Sequence, residues 1–172
     1  MAAVAGAALA ADPCEPTGAS NSSAALHSWM GCTIDRFFPF PGNEGWDVAY
    51  DDVFSSDLRA SFNHSRFDKS GFKSMYHTLN TTIGAAFGVH GFRHEMTTMV
   101  AVPNEHDKGG FVFYTGMEGG TTIIGTTVWL ANGAMLEIAD VNGKRQIIEL
   151  REATNVPFSG HPTGVKNWTC AF

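Results

Sequence analysis

Residues 89–96 read VHGFRHEM, two histidines four positions apart with a glutamate directly after the second. On a helix this spacing would stack His90 and His94 on one face, within reach of a single metal ion, with Glu95 beside them as a base. On a strand, at ~3.3 Å per residue, the two rings stand roughly 13 Å apart, too far for one ion held by ~2 Å bonds. The period of the surrounding sequence decides between the two. Alternation over residues 90–102 puts His90, Phe92, His94, Met96, Thr98, Val100 and Val102 on one face and Arg93, Glu95 and Thr97 on the other. A strand separates apolar from charged residues here and a helix does not, so no metal site is expected.

The same parity finds acids on apolar strand faces. Asp140 shares a face with Leu136 and Ile138, and Glu152 with Ile148 and Leu150, whereas Glu149 and Arg151 point the other way. A carboxylate on a core face is costly unless it is paired or used. Bland roles stay open for each: an inward histidine can be a hydrogen-bonded core residue, Asp140 can cap the turn it adjoins, and Glu152 can reach water at a strand end.

Three helices and a run of strands must position these groups. Ser22 or Ser23 can cap a first helix carrying Leu26, Met30, Ile34 and Phe37 or Phe38, stopped at Pro39. NEGWDVAYDDVF gives a shorter second helix with Trp46, Ala49, Tyr50 and Phe54 on one face. A third starts near Asp68 or Ser70 and aligns Phe72, Met75, Tyr76, Leu79 and Ile83. Beyond Gly84 the chain favours strands: 88–102, 111–117, 121–130, 134–140 and 145–154, after an earlier one at 58–64. Asn142-Gly143 marks a tight hairpin, while GGTTIIG fits either a kinked strand or a turn.

A length of 172 residues suits one domain. With 17 acidic against 11 basic residues, the latter scattered, nucleic acid is not an expected partner. Past the first dozen residues no apolar run is long enough to cross a bilayer, so the chain is not expected to be membrane-embedded. MAAVAGAALAADPCEPTG resembles the end of a secretory signal, and residues 1–21 are assigned to a signal-like or disordered leader. Four sequons, at Asn21, Asn63, Asn80 and Asn167, favour a secreted glycoprotein over a cytoplasmic address. Cys14, Cys32 and Cys170 permit one disulfide among three pairings, and Cys14 to Cys170 is preferred because it would tie down both chain ends.

The order helix, short helix, strand, helix, then successive antiparallel strands resembles the nuclear transport factor 2-like superfamily. AYDDVFSSDLRASFN, DKSGFKSMYHTLN and MLEIADVNGKRQIIELREATN carry the likeness. It implies an α+β fold for residues 22–156: a curved antiparallel sheet forming a cone-like half-barrel on three N-terminal helices, with 157–172 as a tail. Members include ketosteroid isomerase, scytalone dehydratase and polyketide-cyclase-like enzymes, which use His, Asp or Tyr in the cone without metal or organic cofactor. That implies His94 and Asp140 as an acid/base pair, in a pocket that raises a carboxyl pKa and lowers that of a histidine. Tyr50, His64, His90 and Tyr114 would orient a substrate oxygen, with Tyr76, Phe92, Met96 and Glu152 lining the interior. Two functions follow from the resemblance: binding of a small apolar ligand without catalysis, with dimerisation through the outer sheet face, or a lyase, isomerase or cyclase acting on a small carbonyl compound. Fold alone does not choose between them.

Overall fold

The Ser22 hydroxyl accepts a hydrogen bond from the Ala25 backbone N–H at 3.1 Å and starts helix α1 at Ser23–Asp35. Its buried face is Ala25, Leu26, Trp29, Met30, Thr33 and Ile34, the three-to-four spacing of an amphipathic helix. These coordinates are a computed structural model and describe residues 12–16 and 21–156. The leader up to residue 11, the tail from 157 with Cys170, and the sequon at Asn167 lie outside the described residues.

Helix α2, Trp46–Val53, runs directly into strand β1, Phe54–Phe62, which turns at Asn63 and His64 into the short β2, Ser65–Phe67. Asp68 then caps α3, Lys69–Phe87, its carboxylate accepting from the Gly71 N–H at 2.9 Å. A single 3₁₀ turn at Gly88–His90 precedes β3 (Arg93–Pro103), β4 (Gly110–Thr121), β5 (Thr127–Val141) and β6 (Lys144–Thr154). The sheet order is β2-β1-β6-β5-β4-β3. It is curved and unclosed, and it differs from an all-antiparallel expectation in one pairing: β1 and β6 run parallel. Of GGTTIIG, Gly119–Thr121 end β4 and residues 122–126 form the turn into β5, while the expected strands at 121–130 and 134–140 merge from Thr127 onward into the single strand β5.

Two bulges correct the parity expected from strict alternation. The β3–β4 register shifts between Met96 and Thr98. His94 and Met96 therefore face inward, but beyond the shift Met99 and Ala101 take over, leaving Val100 and Val102 at 54% and 50% exposure. In β6, Ile138 pairs with Ile147 and Glu137 with Glu149, so Ile148 is the extra residue and leaves the inner row. Ile147 faces inward before the bulge, and Leu150, Glu152 and Thr154 after it, opposite Leu136, Ala134 and Asn132. Glu149 stays on the opposite parity, bonded to Arg59 at 2.7 Å and to Arg151.

The segment between α1 and α2 is the aromatic seam of the core. Phe37 makes edge contact with Tyr76 at 5.5 Å and Tyr50 at 6.4 Å. Phe38 and Phe40 stack at 4.6 Å, and Phe40 exchanges two backbone hydrogen bonds with Phe92, at 2.9 and 2.8 Å. These contacts bring the start of β3 against the loop that follows α1.

Residues 12–16 are stapled to α1. Asp12 accepts from the Trp29 indole N–H at 2.8 Å, and Cys14 is bonded to Cys32. The expected Cys14–Cys170 pairing is thus replaced by one that ties Cys14, within the segment expected as a leader, to α1. Arg145, fully buried, adds an ion pair to Glu15 and donates to the Lys108 carbonyl at 2.9 Å. Peptide mapping of the unreduced protein is expected to recover the Cys14–Cys32 cross-link. Cys14→Ser should cost about 3 kcal/mol in a urea melt, the loop-closure value for a ring of this order; a loss within error would show that the staple does not constrain the unfolded chain.

Candidate functional site

Between α1, α3 and the inner sheet face lies a cavity of about 100 Å³. Met30, Thr33 and Ile34 line it from α1, Phe37, Phe38 and Phe40 from the following loop, and Phe72, Met75, Tyr76 and Leu79 from α3. The sheet contributes Phe54, Phe62, Tyr114, Leu136, Ile147, Leu150 and Glu152. Among these lining residues Glu152 alone carries an ionisable carboxyl. By comparison, a dry apolar cavity of about 150 Å³ accepts benzene; this space is about two-thirds of that volume, so a single ring enters only as the surrounding side chains move outward.

Behind Glu152 the sheet assembles a polar cluster. The register sets His94 opposite Glu118, Gly116 opposite Asn132, and Asn132 opposite Thr154. The Asn132 amide nitrogen is 2.7 Å from His94 Nε2, 3.2 Å from Glu118 Oε1 and 3.3 Å from Glu152 Oε1. It carries two protons for these three acceptors. The Thr154 hydroxyl donates to Glu118 Oε2 at 3.2 Å. Gly116 makes the assembly possible: a Cβ there would stand 2.9 Å from Asn132 Oδ1 and 3.3 Å from His94 Cε1. His94 Nδ1 and Asn132 Oδ1 are buried with no hydrogen-bond partner among the described residues.

Burial sets the protonation states. Dehydration pushes His94 down to about 4, so the ring is neutral at pH 7. Glu118 is pushed up to about 9, first by dehydration and then by the charge of Glu152, against the hydrogen bonds from Thr154 and Asn132. Glu152 rises to about 7 by dehydration, opposed by Asn132. The pair therefore retains a proton at neutral pH, and Glu152 is its member facing the cavity. A carboxyl in such a pair can accept or donate a proton to a bound molecule.

The residues singled out in the sequence separate into four groups. Tyr76, Tyr114 and Glu152 line the cavity. His94 belongs to the cluster but not to the cavity lining; its side chain is 2% exposed, with Phe38 and Tyr114 against the ring at 5.2 and 5.3 Å. Phe92 is buried against Phe40, and Met96 reaches Gly31 on α1.

The others are elsewhere. Asp140 is no partner for His94: its carboxylate caps the β5–β6 turn, accepting from the Gly143 N–H at 2.7 Å. Asn142 and Gly143 have positive φ there, as the tight turn requires. Tyr50 is buried and donates to the Lys69 carbonyl at 2.9 Å. His64 is exposed at the β1–β2 turn, and His90 is exposed in the 3₁₀ turn because β3 begins only at Arg93. Glu118, Asn132 and Thr154 were not singled out, although alternation from Val112 through Tyr114 and Gly116 reaches Glu118. Asn132 was hidden in a supposed break between strands.

Neither a protein-family model nor a curated protein matches the sequence. The fold, however, has solved counterparts. The β subunit of benzoate 1,2-dioxygenase from Burkholderia mallei aligns at TM-score 0.62 and 10% identity, over 80% of this chain and 93% of that one. LinA aligns at 0.58 and 12%, over 83% and 93%. Nuclear transport factor 2 from Cryptosporidium parvum aligns at 0.55 and 15%, over 76% and 91%. The chain has the cone-like α+β fold of the nuclear transport factor 2-like superfamily.

Raised carboxyl pKa values mean that the folded state holds these protons more tightly than the unfolded chain. The associated stability is complete below the unfolded value of 4.5 and is lost as pH rises through about 7 and 9. The depressed His94 value acts oppositely, its stability being lost as pH falls from 6.5 to about 4. Melting temperature should therefore fall on the alkaline side across the carboxyl window, and Glu118→Gln should flatten that limb while leaving the acidic limb in place. Parallel curves for the two proteins would contradict the protonation assignment.

Proposed function

We propose that the protein binds a small, mainly apolar molecule inside the cone, with one polar atom of the ligand hydrogen-bonded to the Glu152 carboxyl. The observation that carries this is the cavity itself, walled by aromatic and aliphatic side chains with a carboxyl at one point, the usual composition of a small-molecule site. Phenol serves as the probe. Calorimetric titration should give saturable one-to-one binding, which Met75→Trp abolishes by filling the space and Met75→Leu preserves. Absence of saturable binding to the wild-type protein, or equal binding by the Trp variant, would overturn the reading.

A second reading, cofactor-independent proton transfer on a small carbonyl compound, is favoured by the cluster behind Glu152. In it the Glu152 carboxylate removes a proton from the carbon next to the carbonyl and returns it to another carbon, shifting a double bond. Asn132 orients the carboxylate and the Glu118 proton limits repulsion between the two acids. With cyclohex-3-enone in D₂O, the expected result is conversion to the conjugated ketone with deuterium uptake. Glu152→Gln should reduce the rate by about 10²-fold or more, and a pH inflection should fall near 7. Unchanged uptake in Glu152→Gln leaves the binding reading alone.

The Cys14–Cys32 bond supports an oxidising, secretory compartment. Of the sequons, Asn63 is exposed at a turn, whereas the Asn21 amide donates to the Asn104 and Gly109 carbonyls, both at 2.9 Å. Self-association through the outer sheet face is supported by adjacent exposed pairs there, Val100 with Phe113 and Val102 with Phe111.

A further inference from the structure

We infer that the ligand of the cone carries two separate oxygen functions, one held by Glu152 on the sheet and the other by the hydroxyl of Thr33 on α1. The inference rests on the ligand-binding reading and specifies the chemical class: a small, otherwise apolar molecule with two hydrogen-bonding oxygens.

Thr33 lines the cavity and is 1% exposed, yet its hydroxyl has no hydrogen-bond partner among the described residues. A helical serine or threonine ordinarily satisfies its hydroxyl by donating to the carbonyl four residues back. On α3 this happens repeatedly: Ser74 donates to Ser70, Thr78 to Ser74, Thr81 to His77 and Thr82 to Thr78, at 2.7 to 3.0 Å. Thr33, embedded in the binding wall, does not. A buried hydroxyl left unmade is destabilising, and valine would fill the same volume without that cost. The hydroxyl is thus explained by a partner that arrives with the ligand. Because a hydroxyl both donates and accepts, it can take a carbonyl, a phenol or an alcohol oxygen.

The test compares toluene, phenol, and 3- and 4-hydroxybenzaldehyde by calorimetry on the wild-type protein, Thr33→Val and Thr33→Ser. At least one hydroxybenzaldehyde should bind the wild type several-fold to ten-fold tighter than phenol, the increment of one added hydrogen bond. Thr33→Val should erase that preference, so that the hydroxybenzaldehydes bind this variant no tighter than phenol binds it, and should raise the melting temperature of the unliganded protein by a few degrees. Thr33→Ser should restore the preference. A lowered melting temperature in Thr33→Val, or a preference that survives it, would overturn the inference. If phenol binds but no hydroxybenzaldehyde binds more tightly, the two-oxygen inference fails and the binding reading stands. If none of the four probes binds, the binding reading fails and takes this one with it.

Discussion

The cost of dehydrating two carboxyl groups side by side shapes the interior of this protein. Glu118 and Glu152 share one amide donor, Asn132, inside a cone otherwise built from aromatic and aliphatic side chains. Two ionised acids in that setting would repel in a medium that screens poorly, and neither could recover its lost hydration. The cluster relieves the cost in two ways. Hydrogen bonds from Asn132 and Thr154 replace part of the water, and a retained proton removes one of the charges. Neutral His94 follows from the same dehydration, since an imidazolium there would also need solvation.

The polar cluster depends on close packing around it. Gly116 removes the side chain that would displace both Asn132 and His94, and Phe38 and Tyr114 seal the His94 ring. The opposite wall, α1, is fixed by the Cys14–Cys32 bond and by Asp12 on the Trp29 indole. Met30, Thr33 and Ile34 on that wall face the cavity. The cross-link at Cys32 therefore falls in the same helical turns that shape the binding space, so anchoring of the N-terminal segment and the geometry of the site are linked through one helix.

The elements and their order were legible because their signals are local, Ser22 and Asp68 as caps and Asn142-Gly143 as a hairpin, although the first helix ends at Asp35 and not at the expected stop, Pro39, which leaves Phe37 and Phe38 in the loop after it. The inward position of His94 followed from alternation alone. Bulges were not legible, since a single extra residue leaves no mark in composition. That is why Val100, Val102 and Ile148 were placed on the wrong face. The partner of His94 was missed for a related reason. Asp140 has the right parity, but it sits at the far end of β5 and spends its carboxylate on the turn, whereas Glu118 meets His94 across β3 and β4. Cross-strand neighbours of this kind depend on register, which a single strand's pattern does not contain.

Glu118 and Glu152 hold a proton between them at neutral pH, with Glu152 facing the apolar cavity and Glu118 behind it. Carboxyl ¹³C NMR titration of glutamate-labelled protein measures this directly, with Glu118→Gln and Glu152→Gln assigning the two resonances. Both resonances should remain in the protonated range well above pH 4.5, the pair losing its protons in two steps near 7 and 9. Two carboxyls fully ionised by pH 5 would contradict the retained proton.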